Sequence, residues 1–240
     1  MAGKKKSTKN RVWKWTKRIV LFCFLSSFLY ILICKWVMPP ITMTQLSDWV
    51  SGNGLHRDYI SWDEIPPNAK LAAIASEDQL FPVHGGFDWD AIEKSIEASK
   101  KNSSKKAGAG TSTISQQTAK NVFLWQGEGI TKYIRKIPEI YFTKMIEWIW
   151  GKKRIMEVYL NVIEMGKGIY GIEAASQTYY HVPASKLTRT ECAQIIACLP
   201  NPKLYTVEPM SRYVNWKSKW ILKQMNNISD EKEIHTLIHL

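Results

Sequence analysis

The sequence has few of the features from which disulfide frameworks, zinc sites and β-sheets are built. It contains four cysteines, and none of them forms a C-x-x-C pair, so the usual spacing of a cysteine zinc site is missing. Alternating apolar and polar residues, which are typical of half-buried strands, are almost absent. No internal repeat is present. These absences disfavour a β-sandwich, a repeat protein and a structural metal site.

Acidic residues are missing from the N-terminal tail. Residues 1–18 hold eight Lys or Arg and no Asp or Glu. The whole chain has a formal charge of +12, so the remaining 222 residues carry 12 − 8 = +4. The charge that first suggests nucleic-acid binding is therefore concentrated in a tail that has no fold of its own. A hydrophobic content of 45% over 240 residues excludes a disordered chain and predicts one domain plus an appendage.

A twenty-residue apolar segment, Ile19–Met38, follows the tail. As a helix it would be about 30 Å long, which matches the hydrocarbon thickness of a bilayer. Only Ser26, Ser27 and Lys35 within it are polar. A cleaved signal peptide is the alternative, but no small-residue cleavage site follows. The positive charge before the span predicts an N-terminus in the cytoplasm and residues 39–240 on the outer face.

Helical periodicity dominates the rest of the chain, so the predicted fold class is all-α. We predict a basic cytoplasmic tail (1–18), a transmembrane anchor (19–38), a linker (39–61) and a domain (62–240). Asp88 is expected to cap a helix with an apolar stripe at Trp89, Ile92 and Ile96, and Thr111 or Ser112 to cap another. Further helices are expected at about 66–77, 137–149, 153–162, 172–180, 188–199 and 212–226, with a mobile basic loop at 99–110.

The first of three polar clusters, Glu77–Gly86, lies where a predicted apolar helix ends. It begins with the adjacent carboxylates of Glu77 and Asp78. The carbonyl end of a helix and the apolar neighbour Phe81 both disfavour the charged form of a carboxylate, which suits a general base. The alternative is a solvated pair of surface carboxylates.

The second cluster, Gly110–Asn121, combines hydroxyls, amides and a cation at a predicted helix start. Helical spacing puts Gln116 with Lys120, and Gln117 with Asn121, on adjoining strips of one face. Together with free backbone N–H groups, these side chains would bind sugar hydroxyls and a phosphate. The segment is not a P-loop, because the order G-x-x-x-x-G-K-[ST] is missing. A solvent-facing polar helix surface is the alternative.

The third cluster, Arg135–Glu139, joins two cations to a carboxylate. Lys136 and Glu139 are three residues apart, so they share one face of a helix. Such a group suits a diphosphate leaving group held by cations. An ordinary surface ion pair would have the same sequence pattern.

These clusters occur in the order that is typical of the peptidoglycan glycosyltransferases of family 51, which the chain resembles over roughly residues 62–226. The motifs that carry the resemblance are E-D-x-x-F-x-x-H-x-G at Glu77–Gly86, G-x-S-T-I-x-Q-Q-x-x-K-N at Gly110–Asn121, R-K-x-x-E at Arg135–Glu139, KRIMEVYLN at Lys153–Asn161, GIYGIEAA at Gly168–Ala175 and LPNP at Leu199–Pro202. Without the transpeptidase motifs of the bifunctional enzymes, the chain resembles the monofunctional members.

The resemblance implies a lysozyme-like, bilobal helical domain with a membrane-contacting jaw. It also implies polymerisation of lipid II into β-1,4-linked glycan strands with release of undecaprenyl diphosphate. By motif position, Glu77 would be the general base and Glu139 the second carboxylate, near the donor diphosphate. The implied substrate-binding residues are Asp78, Phe81, His84, Ser112, Thr113, Gln116, Gln117, Lys120, Asn121, Arg135 and Lys136.

The resemblance implies no required cofactor and no resident metal, although a divalent cation, Mg or Mn, on the substrate diphosphate is compatible with the family. The expected partners are lipid II, the growing glycan strand, the lipid bilayer, and cell-wall synthesis or division proteins, but not nucleic acid. The catalytic domain would lie on the periplasmic face of the inner membrane. Trp125, Trp148 and Trp150 are candidates for interface contact or for the core.

Two other functions are compatible with the residues alone. A lysozyme-type enzyme that cleaves the cell wall also pairs a helical fold with a glutamate. A membrane-anchored relative without activity would act only as a scaffold. The cations beside Glu139 favour a diphosphate substrate over a neutral glycan, and the presence of both glutamates disfavours a scaffold.

Overall fold

The computed structural model describes residues 4–101, 110–127 and 129–240, and the chain divides into two units, Met1–Met38 and Pro39–Leu240. The first unit is the helix α1 (Lys4–Cys34). Its segment Asn10–Cys34 contains an 18-residue window with a mean hydropathy of 1.9 and is long and apolar enough to cross a membrane. The helix ends four residues before the predicted end of the span. Backbone bonds from Lys35 to Leu32 and from Trp36 to Ile33 tighten its last turn.

The second unit is mainly helical, which confirms the predicted fold class. Its described helices are α2 (Met43–Val50), α3 (Pro67–Glu77), α4 (Trp89–Lys101), α5 (Ile114–Phe123), α6 (Ile130–Ile149), α7 (Gly151–Val162), α8 (Ile172–Tyr180), α9 (Arg189–Ala197), α10 (Arg212–Ile228) and α11 (Lys232–Ile238). A short 3₁₀ turn, Ala184–Lys186, lies between α8 and α9. The helix α11 was not expected from the sequence.

A small sheet, also not expected, joins two distant parts of this unit. Strand β3 (Ile169–Tyr170) pairs antiparallel with β2 (Glu164–Gly166) and parallel with β1 (His56–Arg57). Gly168 has a φ of +70°, and a Cβ there would lie 2.4 Å from the carbonyl oxygen of Asn53. Only glycine fits this turn. Strands of two or three residues are too short to give a detectable alternating pattern.

The segment 39–61 is not a linker, because α2 and β1 lie within it and are bonded to the rest of the unit. Asp48, which is buried, accepts hydrogen bonds from Tyr170 Oη (2.5 Å) and Lys203 Nζ (2.7 Å). Asn161 exchanges two 2.9 Å bonds with the backbone of Ile60. The prediction failed because these partners are more than one hundred residues away in sequence.

The core forms around α3, whose alanines are buried on all sides. Ala69, Ala72, Ala73 and Ala75 expose 1% of their surface or less, so α9 and α10 can pack closely against this helix. Helix α5 packs between α6 and α7 in the same way. Helices α3 and α5 therefore each pack against at least two neighbouring helices.

Two predicted helix starts have different outcomes. Asp88 caps α4 as expected, with its Oδ1 accepting from the N–H of Ala91 at 2.8 Å. The predicted caps Thr111 and Ser112 are wrong: α5 begins later, and Thr113 forms a capping box with Gln116. This pairing requires a Gln or Glu three residues after the cap, which Thr111 and Ser112 do not have.

Helix α4 leaves its apolar stripe outside the core. Trp89 and Ile96 are exposed, and none of the helix is buried. The predicted loop 99–110 begins later than expected, because α4 continues to Lys101; residues 102–109 lie outside the described part of the chain.

The carboxyl group of Glu164 makes the stability of the fold depend on pH. Burial raises its pKa from 4.5 to about 7, and the charge of Asp48 adds to this, while the Gly168 N–H and Lys203 oppose it. Because the folded-state pKa is the higher one, the stabilising contribution is fully present below about pH 4.5 and is lost as the pH rises through about 7. We therefore expect Glu164→Gln to gain stability relative to the unchanged chain as the pH rises through this range.

The measurement is thermal unfolding of the detergent-solubilised chain at several pH values across this range. Glu233→Gln, at an exposed position in α11, is the matched control and should follow the unchanged chain at every pH. A constant difference in Tm between Glu164→Gln and the unchanged chain would contradict the prediction.

Candidate active site

Glu77 is the last residue of α3 and its carboxylate is held from two sides. Gln117 Nε2, on α5, donates to Oε2 at 3.0 Å, and Ser76 Oγ donates to Oε1 at 3.0 Å. The Oε1 of Gln117 accepts from Tyr159 Oη at 3.4 Å. Burial, and after it the charge of Glu77, raises the pKa of Tyr159, so this phenol remains a donor. The half-buried carboxylate of Glu77 is thus oriented while still reaching solvent.

The neighbouring carboxylate, Asp78, is buried and joins the end of α3 to the start of α5. Its Oδ2 accepts from the N–H of Ile114 at 2.9 Å, and His84 Nε2 lies 2.9 Å from both oxygens. The N–H of Gly86 donates to His84 Nδ1 at 3.0 Å, so Nε2 carries the proton that is shared with Asp78. A carboxylate also interacts favourably with the positive end of a helix dipole.

The predicted anion site at the start of α5 is therefore already occupied by the protein itself. The N–H of Ile114 binds Asp78, and the N–H of Gln116 donates to Thr113 Oγ1 at 3.2 Å. The Oγ1 of Thr113 donates to the carbonyl of Gly86 at 2.7 Å. Two of the N–H groups expected to bind phosphate here are thus used within the protein, because the sequence pattern could not show which carboxylate caps the helix.

Lysine side chains support the turn between Asp78 and Gly86 from α6 and α7. Lys152 Nζ donates to the His84 carbonyl and to Glu147 Oε1, both at 2.6 Å. Burial lowers the pKa of Lys152, and the bond to Glu147 opposes that change. Lys144 Nζ donates to the Gly85 carbonyl at 2.7 Å. The turn is consequently fixed on several sides.

A cluster of cations forms the second half of the site. Glu139, only 2% exposed, pairs with Lys136 Nζ and lies 3.6 Å from Arg135 Nε. Arg135 is buried, and its guanidinium also donates to the carbonyl of Trp125 at 3.0 Å. The ion pair predicted between Lys136 and Glu139 is confirmed. It is partly buried rather than an ordinary surface pair.

Lys120 adds a third cation to this cluster, so the local formal charge is 3 − 1 = +2. Burial lowers the pKa of Lys120, the positive charges of Arg135 and Lys136 add to the lowering, and Glu139 opposes it. A cation that is disfavoured in this way gains most from an anionic ligand, because the ligand would raise its pKa again. The cluster, which we call the cation cluster, consists of Lys120, Arg135, Lys136 and Glu139.

Helix α5 brings the two halves together. Gln117 binds Glu77, and Lys120, three residues later, is within electrostatic reach of Glu139 on the adjacent α6. Residues three apart on a helix are neighbours, with Cβ atoms about 5–6 Å from one another. The two predicted catalytic carboxylates therefore flank one strip of a single helix.

Several predicted substrate-binding residues have structural contacts in this conformation. Phe81 has no exposed surface and packs in the core beneath Lys152, so the expectation of substrate contact is wrong for it. Gln116 is occupied by the capping box of Thr113, and Asn121 is buried. Ser112 is exposed next to the start of α5.

The structure adds residues that the sequence reasoning did not assign. Tyr159 lies in the segment Lys153–Asn161, which carried the resemblance but received no role. Tyr213 and Lys217, on α10, are within electrostatic reach of Glu77. No sequence signal pointed to α10, because its distance from Glu77 in sequence is more than one hundred residues.

The cation cluster does not fit a resident divalent cation, because it offers one carboxylate that is already paired with lysine. Among residues 4–101, 110–127 and 129–240, no group of three or more His, Cys, Asp and Glu could hold a metal ion. The rings of His235 and His239, one helical turn apart, have centroids 4.6 Å apart, but two histidines are fewer than the three residues that such a metal-binding group needs.

The turn at Gly86 requires glycine. Its φ is +95°, and a Cβ would lie 2.9 Å from Thr143 Cγ2 and 3.0 Å from Glu147 Cγ. We expect Gly86→Ala to lower the free energy of unfolding by about 1–3 kcal/mol. Gly85→Ala is the matched control, because its Cβ would meet only Lys144 Nζ, at 3.7 Å. Chemical denaturation measures both, and equal effects at the two positions would contradict the account of this turn.

The chain is similar to known proteins over most of its length. The family model described as Transglycosylase matches residues 43–226. The chain is 49% identical over 190 residues to the biosynthetic peptidoglycan transglycosylase of Escherichia coli strain Crooks. The aligned residues cover 78% of this chain and 76% of that relative. The proteins of the same name from Escherichia coli K12 and from strain O139:H28 match to the same extent. With more than half of its residues matched, this chain belongs to the transglycosylase family.

Proposed function

We propose that this chain is a peptidoglycan glycosyltransferase that joins the disaccharide units of lipid II into β-1,4-linked glycan strands, with Glu77 as its general base. One observation carries the proposal: α5, which packs against α6, presents on one strip Gln117, bonded to Glu77, and Lys120, within electrostatic reach of Glu139. This strip separates a proton acceptor from a site of excess positive charge. A glycosyl transfer to a hydroxyl with an anionic leaving group needs both.

The proposed reaction is a single displacement at the donor sugar. Glu77 removes the proton from the acceptor hydroxyl, and the hydroxyl oxygen forms a bond to the anomeric carbon of the donor. The bond from that carbon to the diphosphate breaks, so undecaprenyl diphosphate leaves with the electron pair. Attack opposite an α-linked diphosphate gives the β-linkage, and no covalent intermediate is required.

The cation cluster is proposed to stabilise the leaving group. Lys120, Arg135 and Lys136 would bind the diphosphate oxygens as negative charge develops on them. Glu139 keeps Arg135 and Lys136 in position through its ion pairs. A Mg or Mn ion, if one takes part, would arrive on the substrate diphosphate. Ser112 and Gln117 are proposed to contact the sugar or its diphosphate.

The outer face of α6 is proposed to contact the lipid bilayer. Arg135, Glu139, Thr143 and Ile146 form its buried face. The opposite face is apolar but exposed, and it carries Ile130, Tyr133, Ile134, Ile137, Ile140 and Trp148. A long polyprenyl tail cannot leave the bilayer cheaply, at about 0.8 kcal/mol per methylene. An apolar surface on the same helix as the cation cluster would keep the diphosphate at the membrane surface.

The helix α1 suits a membrane anchor, and we infer that the N-terminus is cytoplasmic with the catalytic unit on the periplasmic face. Of the three tryptophans considered above, Trp125 and Trp148 are exposed and remain candidates for interface contact. Trp150 is buried, so it belongs to the core. The growing glycan strand and cell-wall synthesis or division proteins are the proposed further partners.

Replacing Glu77 tests the proposed base. Glu77→Gln keeps the side-chain size but cannot accept a proton, so we expect polymerisation of labelled lipid II to fall by about 10²- to 10⁴-fold. Thermal unfolding should remain close to that of the unchanged chain. Glu233→Gln is the control, at an exposed position in α11. A Glu77→Gln protein that polymerises lipid II at the normal rate would contradict the assignment.

Replacing Lys120 tests the leaving-group site. We expect Lys120→Met to lower kcat by about 10²- to 10³-fold, because a cation that contacts developing charge is removed. Lys232→Met removes an exposed cation from α11 and should have a much smaller effect, since solvent and salt screen its charge. The initial rate of lipid II polymerisation at saturating substrate measures both. Equal losses in the two variants would show a general charge effect and not a specific site.

A further inference from the structure

A strip of α10 that the proposed mechanism does not use lies next to Glu77. Tyr213, Lys217 and Gln224 recur at helical spacing, so they share one side of the helix. Gln79 Nε2 donates to Gln224 Oε1 at 3.3 Å, which ties this side of α10 to the segment that follows Glu77. Helix α10 also packs directly against α3, the helix that ends at Glu77.

Three aromatic rings form an open surface at this end of α10. The rings of Tyr205 and Tyr213 stack with centroids 3.9 Å apart and an interplanar angle of 16°. Trp216 lies against Tyr213, with centroids 5.8 Å apart. Trp216 is 62% exposed, whereas both tyrosines are half-buried. We call Tyr205, Tyr213 and Trp216 the aromatic shelf.

Because α10 packs against α3, Tyr213 of the shelf is within electrostatic reach of the carboxylate of Glu77. Burial raises the pKa of Tyr213, and the charge of Glu77 contributes to that rise after the effect of Tyr205. Burial lowers the pKa of Lys217, and Glu77 opposes that change. The same carboxylate thus acts on two residues of α10 that are one turn apart.

The chemistry of the shelf matches one face of a sugar. A pyranose ring presents apolar C–H groups on its face and hydroxyls around its rim. Aromatic rings bind such an apolar face, while nearby polar groups fix the orientation of the ligand. The exposed surface does not contribute to the packing of α10 in the core, because the buried residues of this helix are Val214, Ser218, Ile221, Met225 and Ile228.

We propose that the aromatic shelf binds the acceptor saccharide of lipid II and positions its hydroxyl at Glu77. This inference rests on the proposed function, because a general base must lie within hydrogen-bonding reach of the proton that it removes. The sugar that carries this proton therefore has to lie next to Glu77, where the shelf is. Trp216 is a positioning residue in this account, not a catalytic one.

Steady-state polymerisation of lipid II by the full chain tests the shelf. We expect Trp216→Ala to raise KM for lipid II by about three- to tenfold with a smaller change in kcat, since a stacking contact is lost. Trp216→Phe should restore most of the affinity because it keeps an aromatic ring. Trp49→Ala, at an exposed position in α2 far from these contacts in sequence, is the control and should have the KM of the unchanged chain.

A second measurement separates failure of the shelf from failure of the proposed function. The soluble disaccharide of N-acetylglucosamine and N-acetylmuramic acid is titrated into the full chain carrying Glu77→Gln, and binding is followed by tryptophan fluorescence and NMR. We expect saturable binding that is weakened by adding Trp216→Ala. If the unchanged chain does not polymerise lipid II, the proposed function fails and this titration alone decides whether the shelf binds saccharide.

Three results would overturn the inference. The first is an unchanged KM for Trp216→Ala in a chain that polymerises lipid II. The second is the absence of disaccharide binding. The third is a loss of activity that appears only in bilayers while disaccharide binding is retained, which would assign the shelf to lipid contact.

Discussion

The site depends on the buried carboxylate of Asp78. It binds the first N–H of α5 and the ring of His84, and it directly follows Glu77. A buried charge is stable only when it is well paired, and here a helix start and an imidazole N–H supply the partners. The carboxylate of Asp78 therefore fixes the position of the end of α3 relative to the start of α5. Loss of either partner would leave this buried charge poorly compensated.

Because the end of α3 and the start of α5 are fixed relative to each other, two opposite electrostatic environments lie along α5. Gln117 donates a hydrogen bond to Glu77, so the orientation of this carboxylate is fixed. One turn later, Lys120 lies among positive charges with a single carboxylate for compensation. The free-energy cost of assembling these cations is offset only when an anion binds. The protein is thus prepared for a substrate that brings negative charge to one end of the strip and a hydroxyl to the other.

The sequence was informative about single helices and their order, but much less so about contacts between distant residues. Local periodicity predicted α3, α8 and the pair of Lys136 and Glu139, because these depend on residues within one or two turns. It did not predict the role of 39–61, whose bonds reach Asn161 and Tyr170. The motif around Glu77 is recognisable in the sequence, but the sequence does not show that Asp78 and His84 bond to each other or that Phe81 is fully buried.

The most direct measurement is a structure of the Glu77→Gln chain with lipid II bound. The account predicts that the acceptor hydroxyl lies within about 3.2 Å of the side chain at position 77, and that the donor diphosphate contacts Lys120 and Arg135. Both groups would then lie on the strip of α5 that contains Gln117. A diphosphate bound away from Lys120, or an acceptor hydroxyl far from position 77, would contradict the account.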